Sequence, residues 1–332
     1  MSRKIALTGI KPTGTPHIGN YFGAIKPAVA LTQSYESRYF IADYHALNSE
    51  RDPERLKQQT HEVAATWLAC GLDPEKSLVY KQSSVPETFE LTTILMAFTP
   101  KGLMNRAHAY KAAVDQNREA GKDPDKGINM GLYTYPVLMA ADILLFNANV
   151  VPVGKDQKQH IEMTADIAET INSNYGSELL VVPEPLINEA TQVIPGMDGR
   201  KMSKSYNNTI PLFLPSKKLR KMVMKIVTNS QEIEEPKDPD SCNVFSLYTL
   251  FAGPDEQEAL AKRYRAGGMG WGEAKQALFE VMERELSRAR ERYDALMADT
   301  YYIDRVLAEG AEKARAIAAE TVSRLRKAIG II

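Results

Sequence analysis

The sequence predicts an α/β fold in which a doubly wound parallel sheet is followed by a C-terminal α-helical domain. Short apolar runs alternate with helical patterns through the first half of the chain, the order expected of βαβ units. Beyond residue 215 the pattern changes to long helices with Arg, Lys and Glu interleaved, most clearly over residues 273–297 and 310–329. We therefore expect one domain at residues 1–212 and a helical domain at residues 213–332.

The predicted strands end in polar residues. Strand candidates cover residues 5–7, 39–42 and 78–80. The second runs directly into Asp-Tyr-His at residues 43–45, which occupy the place of the carboxyl end of a parallel strand. Ligands of doubly wound sheets bind at that edge, so His45 is a candidate ligand contact.

Two further segments complete the first domain. A helix between the second and third strands should begin with Asp52 as its N-cap and Pro53 at its first position, and should stop at Gly71. From residue 92 to about residue 134 the pattern is less regular, and residues 116–126 are polar and rich in Gly and Lys. We interpret this region as an insertion between strands.

The composition is that of a globular chain. Hydrophobic residues make up 44% of the chain and charged residues 25%. The formal net charge of −1 excludes a nucleic-acid-binding protein that is basic over its whole surface, but it permits a local basic patch. No apolar run reaches the roughly 18 residues of a membrane span, and the N-terminus lacks a secretory signal. We expect a cytoplasmic protein. The only cysteines, Cys70 and Cys242, are too few for a four-cysteine zinc site or a disulfide framework.

The loop after the first strand could bind phosphate. Residues 12–21 open a helix, whose first turn would offer unpaired N–H groups and the positive end of the helix dipole. Gly14 would let the loop turn, and Gly19 would let a ligand approach. His17 and Asn20 share a helical face and could both donate to phosphate oxygens. Taken alone, the loop fits a proline-delimited turn with incidental caps equally well.

A second segment could close over the same phosphates. Residues 199–205, Gly-Arg-Lys-Met-Ser-Lys-Ser, place cations and hydroxyls in a short loop. Lys201 and Lys204 could straddle one anion. A loop rich in Lys and Ser is often only a solvated surface, so that alternative stays open at this point.

Together the two segments resemble the signature motifs of class I aminoacyl-tRNA synthetases. His-Ile-Gly-Asn at residues 17–20, the first motif, resembles His-Ile-Gly-His, and Lys-Met-Ser-Lys-Ser at residues 201–205, the second motif, matches outright. Residues 135–145, 151–162 and 304–314 look like the tryptophanyl-tRNA synthetases. The resemblance spans nearly the whole chain and implies a Rossmann-like catalytic domain followed by an anticodon-recognition domain.

The resemblance implies a tryptophan–tRNA ligase that uses ATP with Mg²⁺ held by phosphate oxygens rather than by protein side chains. It also implies L-tryptophan and tRNA(Trp) as substrates, a homodimer, and no DNA or membrane partner. The catalytic residues it implies are His17, Asn20, Lys201, Ser203 and Lys204. Its ATP-binding residues are Lys11, Pro12, Thr13, Gly19, Asn20, Gly154, Lys155, Asp156, Val193, Lys201, Met202, Ser203, Lys204 and Ser205.

Asp142 stands inside an apolar segment, where an ionised carboxylate is costly unless a group donates to it. A lone aspartate there is ordinarily a structural ion pair or a helix cap. The resemblance implies instead that Asp142 accepts the indole N–H of tryptophan, a group that can only donate. The other residues implied around tryptophan are Tyr135, Met139, His45, Val151, Val153 and Gln157.

Three alternatives stay open. A tyrosyl-tRNA synthetase would share both motifs, but residues 139–145 and 151–157 disfavour it. A small-metabolite nucleotidyltransferase would not need the second motif or a helical domain. A catalytically silent synthetase-like protein that binds RNA or tryptophan is disfavoured by the intact motifs.

Lys11 stands where many relatives have glutamine. It could therefore contact phosphate as a further cation rather than make the contact that glutamine makes in those relatives.

Overall fold

The computed structural model describes residues 3–176, 178–187 and 193–332, except for the side chain of Asp156. Its centre is a five-stranded sheet in the order β3-β2-β1-β4-β5, in which every neighbouring pair is parallel. The strands are β1 (Ile5–Ile10), β2 (Glu36–Ile41), β3 (Leu78–Lys81), β4 (Val150–Val153) and β5 (Glu184–Ile187). The predicted doubly wound parallel sheet is confirmed.

Helices surround this sheet and form the C-terminal part. They are α1 (Ile18–Asn20), α2 (Lys26–Leu31), α3 (Asp43–Ala46), α4 (Pro53–Ala69), α5 (Glu87–Ala97), α6 (Lys101–Met104), α7 (His108–Glu119), α8 (Met130–Leu144), α9 (Lys158–Tyr175), α10 (Ser216–Val223), α11 (Asn243–Thr249), α12 (Pro254–Ala266), α13 (Trp271–Ala298) and α14 (Tyr301–Ala328). A π-helical turn joins α1 to α2. No helix in the described ranges is long and apolar enough to cross a membrane.

The strand order reverses between β1 and β4, which defines the edge where a ligand should bind. In open α/β sheets, ligands occupy the crevice outside the carboxyl ends of the strands at such a reversal. The segments that leave β1, β2, β3 and β4 begin at Lys11, Ala42, Gln82 and Gly154. These four segments therefore surround the candidate site.

Helix α4 has the predicted ends. The Asp52 carboxylate accepts hydrogen bonds from the backbone N–H groups of Glu54 and Arg55 at 3.0 and 3.1 Å, so it caps the first turn. Pro53 fills the first helical position, and Gly71 adopts a φ of +103° just beyond the last turn. The left-handed conformation explains why glycine ends this helix.

The region interpreted as an insertion is helical. Residues 92–134 contain most of α5, all of α6 and α7, and the first residues of α8. The polar stretch at 116–126 covers the end of α7 and an exposed turn after it. Helices α5 and α8 pack against each other, so the region is tied to the sheet through regular structure.

The long C-terminal helices α13 and α14 confirm the predicted helical pattern, but α14 begins at Tyr301 and not at Gly310. A Cβ atom on Gly310 would stand 1.7 Å from the carbonyl oxygen of Val79 in β3. The glycine therefore permits close packing of α14 on the sheet edge and does not start the helix.

One hydrophobic cluster joins Trp67 of α4 to Leu278 of α13, so the two predicted domains share a core. The boundary at residue 212 stays a prediction.

Candidate active site

The chain just after the second motif pairs with the start of the first motif. Ile18 donates its N–H to the carbonyl of Ile210 at 2.9 Å, and Leu212 donates to the carbonyl of Pro16 at 3.0 Å. This short antiparallel bridge joins segments that are almost two hundred residues apart in the sequence. It holds the two motifs side by side at the carboxyl edge of the sheet.

Side chains of the second motif also contact the first loop. Lys204 donates from Nζ to the carbonyl oxygen of Thr13. The Met202 sulfur, which is buried, accepts the N–H of Gly19 at 3.3 Å. Gly14 has a φ of +65°, as expected for the turn, and a Cβ there would stand 3.0 Å from the Lys204 Nζ. The two motifs are therefore in direct contact before any ligand is considered.

The expectation that the helix start offers unpaired N–H groups is wrong. The N–H of Ile18 is bonded to Ile210, that of Gly19 to Met202, and that of Asn20 to the His17 Nδ1 at 3.3 Å. A Cβ on Gly19 would stand 2.9 Å from the His17 ring. The glycine thus makes room for the histidine.

His17 is a neutral hydrogen-bond donor. Burial, together with the nearby charge of Lys204, lowers its pKa to about 4, so the ring is uncharged at neutral pH. Its Nδ1 accepts the Asn20 N–H, which leaves the proton of the neutral ring on Nε2. The Asn20 Oδ1 accepts the His17 N–H at 3.1 Å, which completes a capping box and leaves the amide nitrogen able to donate.

The Lys204 ammonium lies close to the first loop. Burial lowers the pKa of Lys204, and the charge of Glu62 opposes that change. Its neighbours in the motif, Lys201 and Ser205, are exposed. The Ser203 and Ser205 hydroxyls lie 2.8 Å apart and share a hydrogen bond. Lys204 is itself exposed overall, so the second motif presents two exposed cations and the hydroxyls of its two serines.

Asn208 positions the second motif and was missed at the sequence level. Its Oδ1 accepts the Ser203 N–H at 2.8 Å, and its Nδ2 donates to the Asp198 carboxylate at 2.7 Å and to the Lys201 carbonyl at 3.1 Å. Asn208 is buried. The motif is thus held in a fixed loop. An asparagine just beyond a cationic loop gives only a weak sequence signal, because asparagine is common in turns.

The first loop borders a small cavity. It measures about 130 Å³ and is lined by polar residues, including Lys11, Thr13 and Lys204, and by apolar residues such as Trp67. Gln59 of α4 holds the loop from below: with its amide oriented to satisfy both atoms, it donates to the Pro12 carbonyl at 2.8 Å and accepts from the Gly14 N–H at 3.2 Å. Lys11 and Thr13 therefore lie beside the Lys204 side chain.

Helix α8 carries the candidate amino-acid end of the site. Tyr135, Met139 and Asp142 stand at i, i+4 and i+7 and so share one helical face. Asp142 is only 2% exposed. His45 contacts its Oδ2 through Nε2 at 2.9 Å, and Gln82 donates to both carboxylate oxygens, at 2.9 and 2.8 Å. A buried carboxylate needs hydrogen-bond donors, and His45 and Gln82 supply them to Asp142.

Burial raises the pKa of the Asp142 carboxyl, and the hydrogen bonds from His45 and Gln82 oppose that rise. Gln82 is a further residue that sequence reasoning missed. It directly follows β3, and His45 was singled out because it follows β2. The same rule applied to the third strand would have found it.

The other predicted residues around tryptophan lie at the same edge. Val151 and Val153 point to one face of β4, and Met139 and Val153 pack against the cluster that contains Val151. The Tyr135 hydroxyl lies 2.8 Å from the His160 Nε2. Gln157 is the residue before α9.

The remaining ATP candidates follow β4 or precede the second motif. Gly154 and Lys155 are exposed between β4 and α9. Asp156 lies in the short 3₁₀ helix that directly precedes α9. The Asp156 side chain is outside the described part. Val193 is 68% exposed, one residue before a segment that hydrogen-bonds to Met202.

A family model described as tRNA synthetases class I (W and Y) matches residues 2–287. The chain belongs to this family. This class I synthetase is 54% identical over 329 residues to tryptophan–tRNA ligase of Pseudomonas aeruginosa, which covers 98% of the chain and 73% of that relative. It is 52% identical over 334 residues to tryptophan–tRNA ligase of Neisseria meningitidis serogroup A, covering 100% and 99% of the two chains.

Among solved structures, this class I synthetase is similar to tryptophanyl-tRNA synthetase from Campylobacter jejuni complexed with ADP and tryptophan. The TM-score is 0.89 at 45% sequence identity, and the match covers 98% of this chain and 99% of the other. The family resemblance expected from the two motifs is therefore confirmed, and so is the Rossmann-like catalytic fold.

Proposed function

We propose that the chain is a tryptophan–tRNA ligase that forms tryptophanyl-adenylate and pyrophosphate from L-tryptophan and ATP, and then transfers the tryptophanyl group to the terminal ribose of tRNA(Trp). The observation that carries this proposal is the contact between the first and second motifs at the sheet edge that also holds the buried Asp142. The names of the two relatives that are 54% and 52% identical support tryptophan as the amino acid.

At the phosphate end, the chemistry requires positioning and charge neutralisation rather than a base. The tryptophan carboxylate is already a nucleophile for the α-phosphate. His17 would donate from Nε2 without adding charge, and Asn20 would donate from its amide nitrogen. Lys201, Ser203 and Lys204 would bind from the opposite side, with Lys204 exchanging the Thr13 carbonyl for phosphate oxygens.

Magnesium would be held by the phosphates in this scheme. The described residues contain no group of three or more His, Cys, Asp or Glu that could hold a metal ion, and the two motifs contribute donors and cations. Such a donor set suits phosphate oxygens, which Mg²⁺ prefers as ligands in nucleotide sites. The ion would neutralise charge on those oxygens. Gly154 and Asp156 are proposed to contact the ATP ribose.

At the amino-acid end, Asp142 would accept the indole N–H. Phenylalanine cannot supply that donor, so the site should reject it by roughly 10⁴-fold, as sites built around one buried polar group do. Met139, Val151 and Val153 would form apolar walls around the ring. The proposed contacts of the amino and carboxylate groups are His45, Tyr135 and Gln157.

The helical part at residues 213–332 is proposed to recognise tRNA, and α10 supplies a cationic surface for it. Leu219 and Val223 face the core, whereas the opposite side of the segment is basic. Its exposed cations are Lys217, Lys218, Arg220, Lys221 and Lys225, and residues 216–225 contain no acidic residue. Such a surface complements a phosphate backbone. A homodimer and a cytoplasmic location are also proposed, on the family membership.

ATP–pyrophosphate exchange measured with each of the twenty amino acids tests this function. We expect exchange with L-tryptophan and almost none with L-tyrosine or L-phenylalanine. Exchange driven by tyrosine would make the chain a tyrosine enzyme, and exchange with no amino acid would leave a protein that only binds. The Lys204→Ala variant provides the negative control.

A further inference from the structure

Gln82 has hydrogen-bond partners at both ends of its amide, beside the proposed tryptophan site. It is fully buried. Its Oε1 accepts the backbone N–H of Tyr44 at 3.1 Å, and its Nε2 donates to the Asp142 Oδ1 and Oδ2 at 2.9 and 2.8 Å. Gln82 thus ties the carboxyl end of β3 to α3 and α8 through one amide group.

The orientation of this amide is set by its neighbours. A backbone N–H can only donate, so the Tyr44 N–H must face the amide oxygen. The nitrogen therefore faces Asp142, whose ionised carboxylate can only accept. Swapping oxygen and nitrogen would break all three hydrogen bonds, so the direction of donation is determined by the network.

The acceptor capacity of Asp142 is nearly used up. An ionised carboxylate offers about four acceptor sites. Gln82 takes one on each oxygen, and His45 takes one on Oδ2. The described residues thus leave one acceptor site open, on Oδ1, which suits a ligand with one donor such as an indole N–H.

We propose that Gln82 is the positioning residue that makes Asp142 selective for an indole N–H, by fixing the carboxylate and leaving it a single open acceptor site. The proposal rests on the proposed function, because it assumes that Asp142 meets the indole. Gln82 acts through Asp142 and does not itself touch tryptophan.

The charges around Asp142 explain why a fixed donor is needed. Burial raises the pKa of its carboxyl, and Asp43 on α3 pushes it in the same direction. Tyr80 of β3 is buried nearby, and its own pKa is raised by its burial and by the Asp142 charge. Among the described residues, His45 and Gln82 counter these effects by donating. Without Gln82 the carboxyl would keep only its contact with His45 among these donors, and it would take up a proton at higher pH.

The test compares L-tryptophan with an analogue in which sulfur replaces the indole N–H. In pyrophosphate exchange, the wild-type chain should prefer tryptophan in kcat/KM. Gln82→Met keeps the side-chain length but removes both donors, and it should reduce this preference by roughly tenfold or more, mainly through KM for tryptophan. The matched control is Gln276→Met, because Gln276 likewise donates from Nε2 to a carboxylate, that of Glu280 at 2.9 Å on the exposed part of α13. It should leave the preference unchanged.

A second variant separates positioning from a merely structural role. In Gln82→Met, KM for tryptophan should rise as pH falls, because protonation of Asp142 begins at higher pH. In Gln82→Glu, two adjacent carboxyl groups can share one proton, so KM should rise as pH increases and both become charged. Opposite pH dependences cannot arise from a general loss of packing.

The outcomes distinguish the two levels of the proposal. If the wild-type chain exchanges with tryptophan but Gln82→Met keeps the full preference over the sulfur analogue, Gln82 has no such role and the proposed function stands. If both variants lose activity towards tryptophan and the analogue equally, with unchanged pH profiles, the role is structural and the inference fails. If the wild-type chain shows no exchange with tryptophan, the proposed function itself fails.

Discussion

The two ends of the candidate site differ in how their polar groups are held. At the phosphate end, Lys204 contacts a carbonyl of the chain itself, and Lys201 and Ser205 are exposed. At the amino-acid end, the carboxylate of Asp142 is buried and held by two donors. A cation proposed to contact the reacting phosphates would stabilise charge that develops in the transition state, whereas a carboxylate proposed to contact the indole, away from the reacting atoms, would act at binding. Substitutions at the first end should therefore change kcat, and those at the second should change KM.

Lys204→Ala should have the largest effect and should appear in the rate. Removing a cation aimed at the phosphates is expected to lower adenylate formation by about 10³-fold, with tryptophan binding nearly intact. Single-turnover adenylate formation and calorimetry measure the two quantities. Lys262→Ala, an exposed lysine paired with Glu258 on α12, is the control. A large loss of tryptophan affinity in Lys204→Ala would remove the contrast between the two ends.

Asp142→Ala should show the opposite pattern. The variant loses the acceptor for the indole and leaves Gln82 and His45 unpaired in a buried site, so tryptophan affinity should fall by roughly 100-fold. ATP binding should change little. Calorimetric titration with each ligand measures both effects. Unchanged tryptophan binding would transfer the indole contact to another residue.

Reversing charge on α10 should affect neither end but should weaken tRNA binding. The double variant Lys217→Glu/Lys221→Glu should raise KM for tRNA about tenfold and reduce the salt dependence of binding, because phosphate contacts are lost. Pyrophosphate exchange should be unchanged. The same change at two exposed lysines elsewhere, Lys57→Glu/Lys76→Glu, is the control. Equal effects of the two double variants would mean that α10 has no special part in binding tRNA.

The smallest effect concerns the protonation of His17. Since burial and Lys204 lower its pKa to about 4, the ring should stay neutral as pH falls from 8 to about 5, and should gain its proton only near pH 4. Nitrogen-detected NMR of labelled histidine measures this, and the signal is assigned from its absence in His17→Asn. The Nε2 signal should be that of a protonated nitrogen. A titration midpoint near 6.5 would contradict the lowered pKa and the neutral ring at pH 5 to 6.

The features that could be predicted from the sequence are those that depend on local patterns of residues. The parallel strands, the caps of α4 and the two motifs could be predicted because each depends on neighbouring residues. The role of Gln82 was missed because it is defined by Asp142, which lies 60 residues further along the chain. Asn208 was missed because asparagine is common in turns and gives only a weak signal. The pairing of Ile18 with Ile210 also joins residues that are distant in the sequence, and it occupies one of the N–H groups that were expected to be unpaired.

Gly310 illustrates a second limit of sequence reasoning. Glycine near a helix end usually marks that end. In α14 the glycine is internal, because the Val79 carbonyl leaves no space for a side chain. A rule based on neighbouring residues cannot distinguish a glycine that ends a helix from a glycine that packs closely against a strand.

The most direct test of the account is a crystal structure of the chain with tryptophan and a non-hydrolysable ATP analogue. It should place the His17 Nε2 and the Lys204 Nζ each within about 3 Å of oxygens of one triphosphate, with the Asp142 Oδ1 accepting the indole N–H. A triphosphate that contacts only one of the two motifs, or an indole nitrogen facing another residue, would contradict it.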